Sequence, residues 1–145
     1  MRRMIPATLQ LPVRGALPHR LVTNADTHDK NGNALFVVGK YGNTTQLTLG
    51  RYSGMEAYIS TELGVESREV AIYNYSKTSG NFSEPGDSGA LVFTGDGDAL
   101  AMLHSGMPRD GYSHVTFATP IWWIIKQVLV RYPFAEFCGM TYTLD

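Results

Sequence analysis

The residue with the clearest chemical potential is Ser88, in the run Phe82-Ser83-Glu84-Pro85-Gly86-Asp87-Ser88-Gly89-Ala90-Leu91-Val92-Phe93. A serine hydroxyl attacks a carbonyl only when a tight turn exposes it. Amide N–H groups must also face the developing oxyanion, and a histidine must take its proton. Gly86 permits the backbone angles that point an N–H inward, and Gly89 leaves room for a substrate backbone. Behind them Ala90–Phe93 reads as a strand that anchors the turn. The plainer reading is a polar loop before a strand, because glycine, aspartate and serine are common loop residues.

The elements that would position Ser88 are short strands. β-type pieces are expected at Ala34–Val38, Thr44–Leu49, Glu56–Ser60 and Arg68–Tyr75, punctuated by glycines 39, 42, 50, 54 and 64. Ser76–Gly89 is a long polar loop. Ala90–Phe93 and Ala99–His104 then flank Thr94-Gly95-Asp96-Gly97-Asp98, a hairpin by its turn chemistry, and Val115–Thr119 reads as another strand. Only one segment has helical spacing. It starts at Pro120, sets Ile121, Ile124, Ile125, Val128 and Leu129 on one face, and stops before Pro133. Trp122 and Trp123 on this helix read as core or rim. Many short strands with one late helix predict an all-β chain: an antiparallel barrel with a single C-terminal helix. Residues 1–33 read as an N-terminal arm, with a turn at Asp29-Lys30-Asn31-Gly32-Asn33, and 34–145 as the barrel with its helix.

Composition narrows the function classes. The 145 residues carry 12 basic and 13 acidic side chains, a formal charge of -1, so no nucleic-acid surface is evident. The apolar run near Ile121–Ile125 is too short to span a bilayer, and prolines 6 and 12 interrupt any signal-peptide core, so a soluble chain is expected, of unknown compartment. The single cysteine, Cys138, allows no intrachain disulfide and reads as a quiet tail residue. Four scattered histidines offer no paired metal-ligand spacing, so no metal and no cofactor are implied. No glycine cluster sits between a strand and a helix as a phosphate loop would require. His28 with Asp26 and Asp29 reads as a turn, and His114 as a loop-edge residue. The nucleophile elbow of α/β-hydrolases does not fit. It needs a helix after the serine, and Ala90 stands where its second glycine belongs.

Gly86-Asp87-Ser88-Gly89, the hairpin after it, Leu103-His104-Ser105-Gly106 and Thr116-Phe117-Ala118-Thr119-Pro120 with its helix together resemble the nucleophile-bearing second barrel of the chymotrypsin-like (PA clan) serine peptidases. Lys40–Arg51 resembles the strand-turn-strand that opens that barrel. Ser79-Gly80-Asn81-Phe82-Ser83-Glu84-Pro85 is similar to trypsin-like proteins of fungi, and the resemblance covers roughly residues 35–132. It implies peptide-bond hydrolysis through an acyl-enzyme on Ser88, with Gly86 and Ser88 N–H groups as the oxyanion hole. Asp87 would hold the turn through an ion pair or hydrogen bonds, Gly89 would support the motif, and Ser105 would support the aspartate of the triad. Ser83, His104 and Gly106 would line the specificity pocket. His104 is as readily a strand-end histidine satisfied by backbone, and an acidic substrate preference rests on it alone.

The histidine and aspartate of the triad lie in that family on the first barrel, and 1–33 carries no counterpart. His19 and His28 have neither the small-residue context nor the strand framework. The expected partners are therefore a peptide or protein substrate and a second chain or N-terminal barrel that supplies both residues. The alternative is a non-catalytic pseudopeptidase that binds peptides or mediates an interaction.

Overall fold

The computed structural model describes residues 15–18, 22, 27–28, 34–60, 66–95, 97–109, 113–137 and 142. The described residues form eight strands: β1 Gly15–Ala16, β2 Thr27–His28, β3 Ala34–Gly42, β4 Gln46–Ser60, β5 Glu66–Asn74, β6 Leu91–Thr94, β7 Asp98–Arg109 and β8 Ser113–Pro120. Helix α1, Ile121–Arg131, follows. Strands β3 to β8 close on themselves in the order β3-β4-β5-β8-β7-β6 and back to β3, every contact antiparallel. The chain is thus an all-β, six-stranded antiparallel barrel with one C-terminal helix, as its pattern predicts. Closure leaves no unpaired edge around the ring.

Alternation sorts the side chains. On β3, Phe36, Val38, Lys40 and Gly42 point inward and are buried, while Val37 and Tyr41 are exposed. Tyr52 from β4, Val70 and Ile72 from β5, Val92 from β6, Leu100 and Leu103 from β7 and Ala118 from β8 complete the interior. Phe82, from the long loop, closes one end of it at 1% exposure. Its ring lies against Gly50, where a Cβ would stand 2.7 Å from Phe82 Cδ2.

Two expected strands, Thr44–Leu49 and Glu56–Ser60, are one strand, β4. A register shift between Tyr52 and Glu56 marks a bulge, and Gly54 sits there at φ 88°. Positive φ at glycine serves a turn or a bulge equally well, so the glycine alone does not separate the two. The β7–β8 hairpin is also longer than expected, pairing as far as Arg109 with Ser113.

Helix α1 has Pro120 at its N-cap and buries Ile121, Trp122 and Ile125. Ile121 and Ile125 pack with Ala16 and Ala99 on the outside of β7, and Trp122 joins the barrel core. The expected arm is described only in part. Its Gly15–Ala16 adds a short parallel strand to β7 at Asp98 and Ala99, and Leu17 and Val22 enter the core. The turn expected at 29–33 lies outside the described residues, as do His19 and Cys138.

Candidate active site

Asp87 organises the turn that carries Ser88. The β3–β4 connection delivers two backbone N–H groups to Asp87 Oδ1, from Thr44 at 2.8 Å and Thr45 at 3.2 Å. Thr45 Oγ1 donates to Oδ2 at 2.7 Å, and the Glu84 N–H donates to the same oxygen at 2.9 Å. Lys40 Nζ lies 3.7 Å from Oδ2, and both side chains are fully shielded from solvent. The expectation that Asp87 anchors the turn through an ion pair or hydrogen bonds thus corresponds to both.

The electrostatics follow from this cage. Burial alone would raise the Asp87 pKa, but the Thr45 hydroxyl and the amides of Glu84, Thr44 and Thr45 outweigh it. They hold the carboxyl well below the usual aspartate range. Lys40 is pulled below the usual lysine range by burial, with the Asp87 charge opposing. Its ammonium also donates to Thr45 Oγ1 and to the Gln46 carbonyl, and it lies 5.5 Å from the Phe82 ring centroid. Sequence reasoning missed Lys40. The signal was there: it falls in phase with inward-facing Phe36 and Val38, where a lysine needs an acid to meet.

Glycine is required at two contacts of this frame. A Cβ on Gly42 would overlap the Asp87 carboxylate, and one on Gly86, at φ 102°, would overlap Thr44 Oγ1. The turn therefore closes onto the β3–β4 loop at van der Waals distance. Thr44 Oγ1 donates to the Pro85 carbonyl at 2.7 Å and adds a second tie.

The frame leaves Ser88 exposed. The Asp87 N–H turns back to the Glu84 carbonyl at 3.1 Å, and Gly89 N–H goes to the Leu103 carbonyl at 2.8 Å. Among the described residues, the N–H groups of Gly86 and Ser88 donate to no protein acceptor. Ser88 Oγ donates to the His104 carbonyl at 3.1 Å and meets no imidazole among the described residues. Those residues also hold no cluster of side chains suited to a metal ion.

Beside Ser88 lies a cavity of about 390 Å³, lined by residues that include Ser83, Leu103, His104, Ser105, Gly106 and His114. The structure therefore brings Ser83, Ser88, His104, Ser105 and Gly106 to one cavity. His104 and Ser105 lie where the β7–β8 register shifts between Leu103 and Ser105, and the His104 side chain is exposed. His114 corrects the sequence reading. It is not a loop-edge residue but a half-buried member of β8, with Nε2 3.3 Å from Ser83 Oγ. It shares a face with buried Thr116 and Ala118, and that alternation was the available signal.

No family model and no curated protein matches this chain. Solved structures similar to it include a chymotrypsin of Cellulomonas bogoriensis, 22% identical over 68% of this chain and 47% of that one, with a TM-score of 0.45. A second is a glutamic acid specific serine protease described as using a histidine triad in substrate binding. It is 21% identical over 70% of this chain and 49% of that one, with a TM-score of 0.45. The chain spans about half the length of these structures. Among the described residues no helix is long and apolar enough to cross a membrane.

Proposed function

We propose that this barrel is the nucleophile-bearing half of a chymotrypsin-like serine endopeptidase, akin to the trypsin-like proteins of fungi, and that Ser88 is its nucleophile. One observation carries the reading. The buried Asp87 cage fixes a turn that presents the Ser88 hydroxyl beside a cavity, with the Gly86 and Ser88 N–H groups left without acceptors among the described residues.

In this reading Ser88 Oγ attacks the scissile carbonyl, and a histidine from outside the barrel takes its proton. The two N–H groups stabilise the tetrahedral oxyanion. The histidine then protonates the leaving amine, and water releases the acyl group from Ser88. Ser105 supports the triad aspartate, Gly89 admits the substrate backbone, and Ser83, His104 and Gly106 receive the substrate side chain. Histidine and aspartate come from a preceding barrel of a longer protein or from a partner chain. No cofactor takes part.

The alternative is a peptide-binding module without catalysis, which would use the same cavity beside Ser88. Incubation with a fluorophosphonate probe, followed by adduct mapping in the mass spectrometer, separates the two. Slow labelling confined to Ser88 and absent in Ser88→Ala is expected, because an oxyanion hole without its base retains part of the rate acceleration. A folded chain that never reacts at Ser88 belongs to the binding reading.

A further inference from the structure

Among the described residues, the large apolar side chains that stand exposed are spread unevenly over the surface. Val130, Tyr132 and Phe134 lie at the end of α1, and Tyr75 lies just past β5. The rest share one face on the outside of the barrel. Tyr41 on β3 is 64% exposed, Leu47 and Leu49 on β4 are 59% and 50%, and Val37 and Met102 are exposed as well. Across β3 and β4, Val37 pairs with Arg51, Gly39 with Leu49 and Tyr41 with Leu47. On the other flank Gly39 pairs with Phe93, and Leu91 pairs with Met102. Paired residues point to the same side of a sheet, so these side chains form one surface across β4, β3, β6 and β7. Gly39 keeps its centre level, because an added Cβ would stand 2.9 Å from Phe93 Cε2 and 3.5 Å from Leu49 Cδ2.

Two features say what covers this face. It runs up to Ser88. The Ser88 turn leads directly into β6 at Leu91, and hydrogen bonds of 2.8 Å tie Gly89 and Ala90 to Leu103, the neighbour of Met102. Its charge is also one-sided. Arg51 is exposed in register between Val37 and Tyr73, meets no acidic side chain among the described residues, and has no acid beside it on this surface.

We infer that this face docks a second protein domain, one that offers an apolar surface and a carboxylate for Arg51. The inference rests on reading Ser88 as a nucleophile: the docked domain is then the one that brings the base, across the edge formed by Leu91 and Met102. Valine, leucine and methionine side chains are covered best by other apolar side chains, and monomers rarely leave so continuous a patch bare. A second copy of this chain fits less well. Set against itself, the face meets another arginine and no acid, and like charges oppose docking. A lipid surface fits less well too, since a single cation adds little attraction to anionic headgroups.

The test places the photo-crosslinking residue benzoylphenylalanine at Leu49 of the chain produced in its native cells, with Phe134 as the control outside the face. Adducts are mapped by mass spectrometry, and the captured domain is made separately and titrated against the chain. A partner caught from Leu49 and not from Phe134 is expected. Its binding should weaken about tenfold with Leu49→Lys and by a similar factor with Arg51→Glu. Both side chains are exposed, and amide dispersion in NMR spectra reports that each variant folds. The partner should also speed fluorophosphonate labelling of Ser88 about a hundredfold, the lower end of what a positioned base contributes. Capture of a second copy, of a segment of the same chain or of nothing would overturn the inference, as would a partner whose binding ignores both substitutions. Labelling keeps the two readings apart. A domain held through Leu49 and Arg51 that leaves labelling unchanged removes the nucleophile reading and keeps the docking face. Faster labelling by a domain that binds elsewhere removes the docking face alone.

Discussion

Replacing Asp87 with asparagine should be the most damaging isosteric change in the molecule. The carboxylate accepts four hydrogen bonds and faces the Lys40 ammonium, all out of contact with water. An asparagine keeps the shape but turns one acceptor into an N–H₂ group, which meets donors on either side. It also strands the Lys40 charge with only Thr45 Oγ1 and the Gln46 carbonyl. Breaking a buried pair from one side costs about 3–5 kcal/mol. Lys40→Met is milder, about 2 kcal/mol, because the carboxylate retains its four donors. The double variant should cost less than the sum of the singles by about 2 kcal/mol, the coupling expected of groups in contact. Urea unfolding followed by tryptophan fluorescence measures all three. With a slope of roughly 2 kcal/mol per molar, Asp87→Asn moves the midpoint by about 2 M while the slope stays constant. A loss below about 1 kcal/mol for Asp87→Asn, or a larger loss for Lys40→Met, would refute the caged-carboxylate account.

Acid should act through the same group. Because the folded-state pKa of Asp87 is depressed, its contribution is present in full above the unfolded aspartate range. It is lost as pH falls below about 4, where the unfolded chain takes up the proton first. Thermal unfolding between pH 3 and 7 should therefore show a steeper acid decline in the native chain than in Asp87→Asn. At the turn itself, Gly86→Ala and Gly89→Ala should diverge. A Cβ at Gly86 overlaps Thr44 Oγ1, whereas one at Gly89 meets nothing within 4 Å. Both sit at positive φ, so each carries strain of about 1–2 kcal/mol, but only Gly86→Ala should also abolish fluorophosphonate labelling of Ser88.

The barrel was legible because period-two alternation and glycine punctuation depend on neighbours in sequence. The helix was legible for a similar reason, its apolar face lying within a few turns. Long-range pairing was not legible. Lys40 and His114 each read as ordinary polar residues until the fold brings Asp87 and Ser83 of the long loop against them. Gly54 shows the same limit: local chemistry announces a positive φ, but only the partner strand decides between a bulge and a turn. The Ser88 motif stood out because its short-range requirements, two glycines and a following strand, are written in consecutive residues.

The Asp87 cage joins residues that lie 42 and 43 positions apart in the chain. Closing so large a loop is entropically slow, and its reward comes only once β6 has docked on β3. The turn that presents Ser88 therefore has no framework in a partly folded or nascent chain. A serine presented by such distant parts takes its place together with the closed barrel and loses it with the barrel. Collapsed intermediates would then carry the sequence of the turn without its geometry.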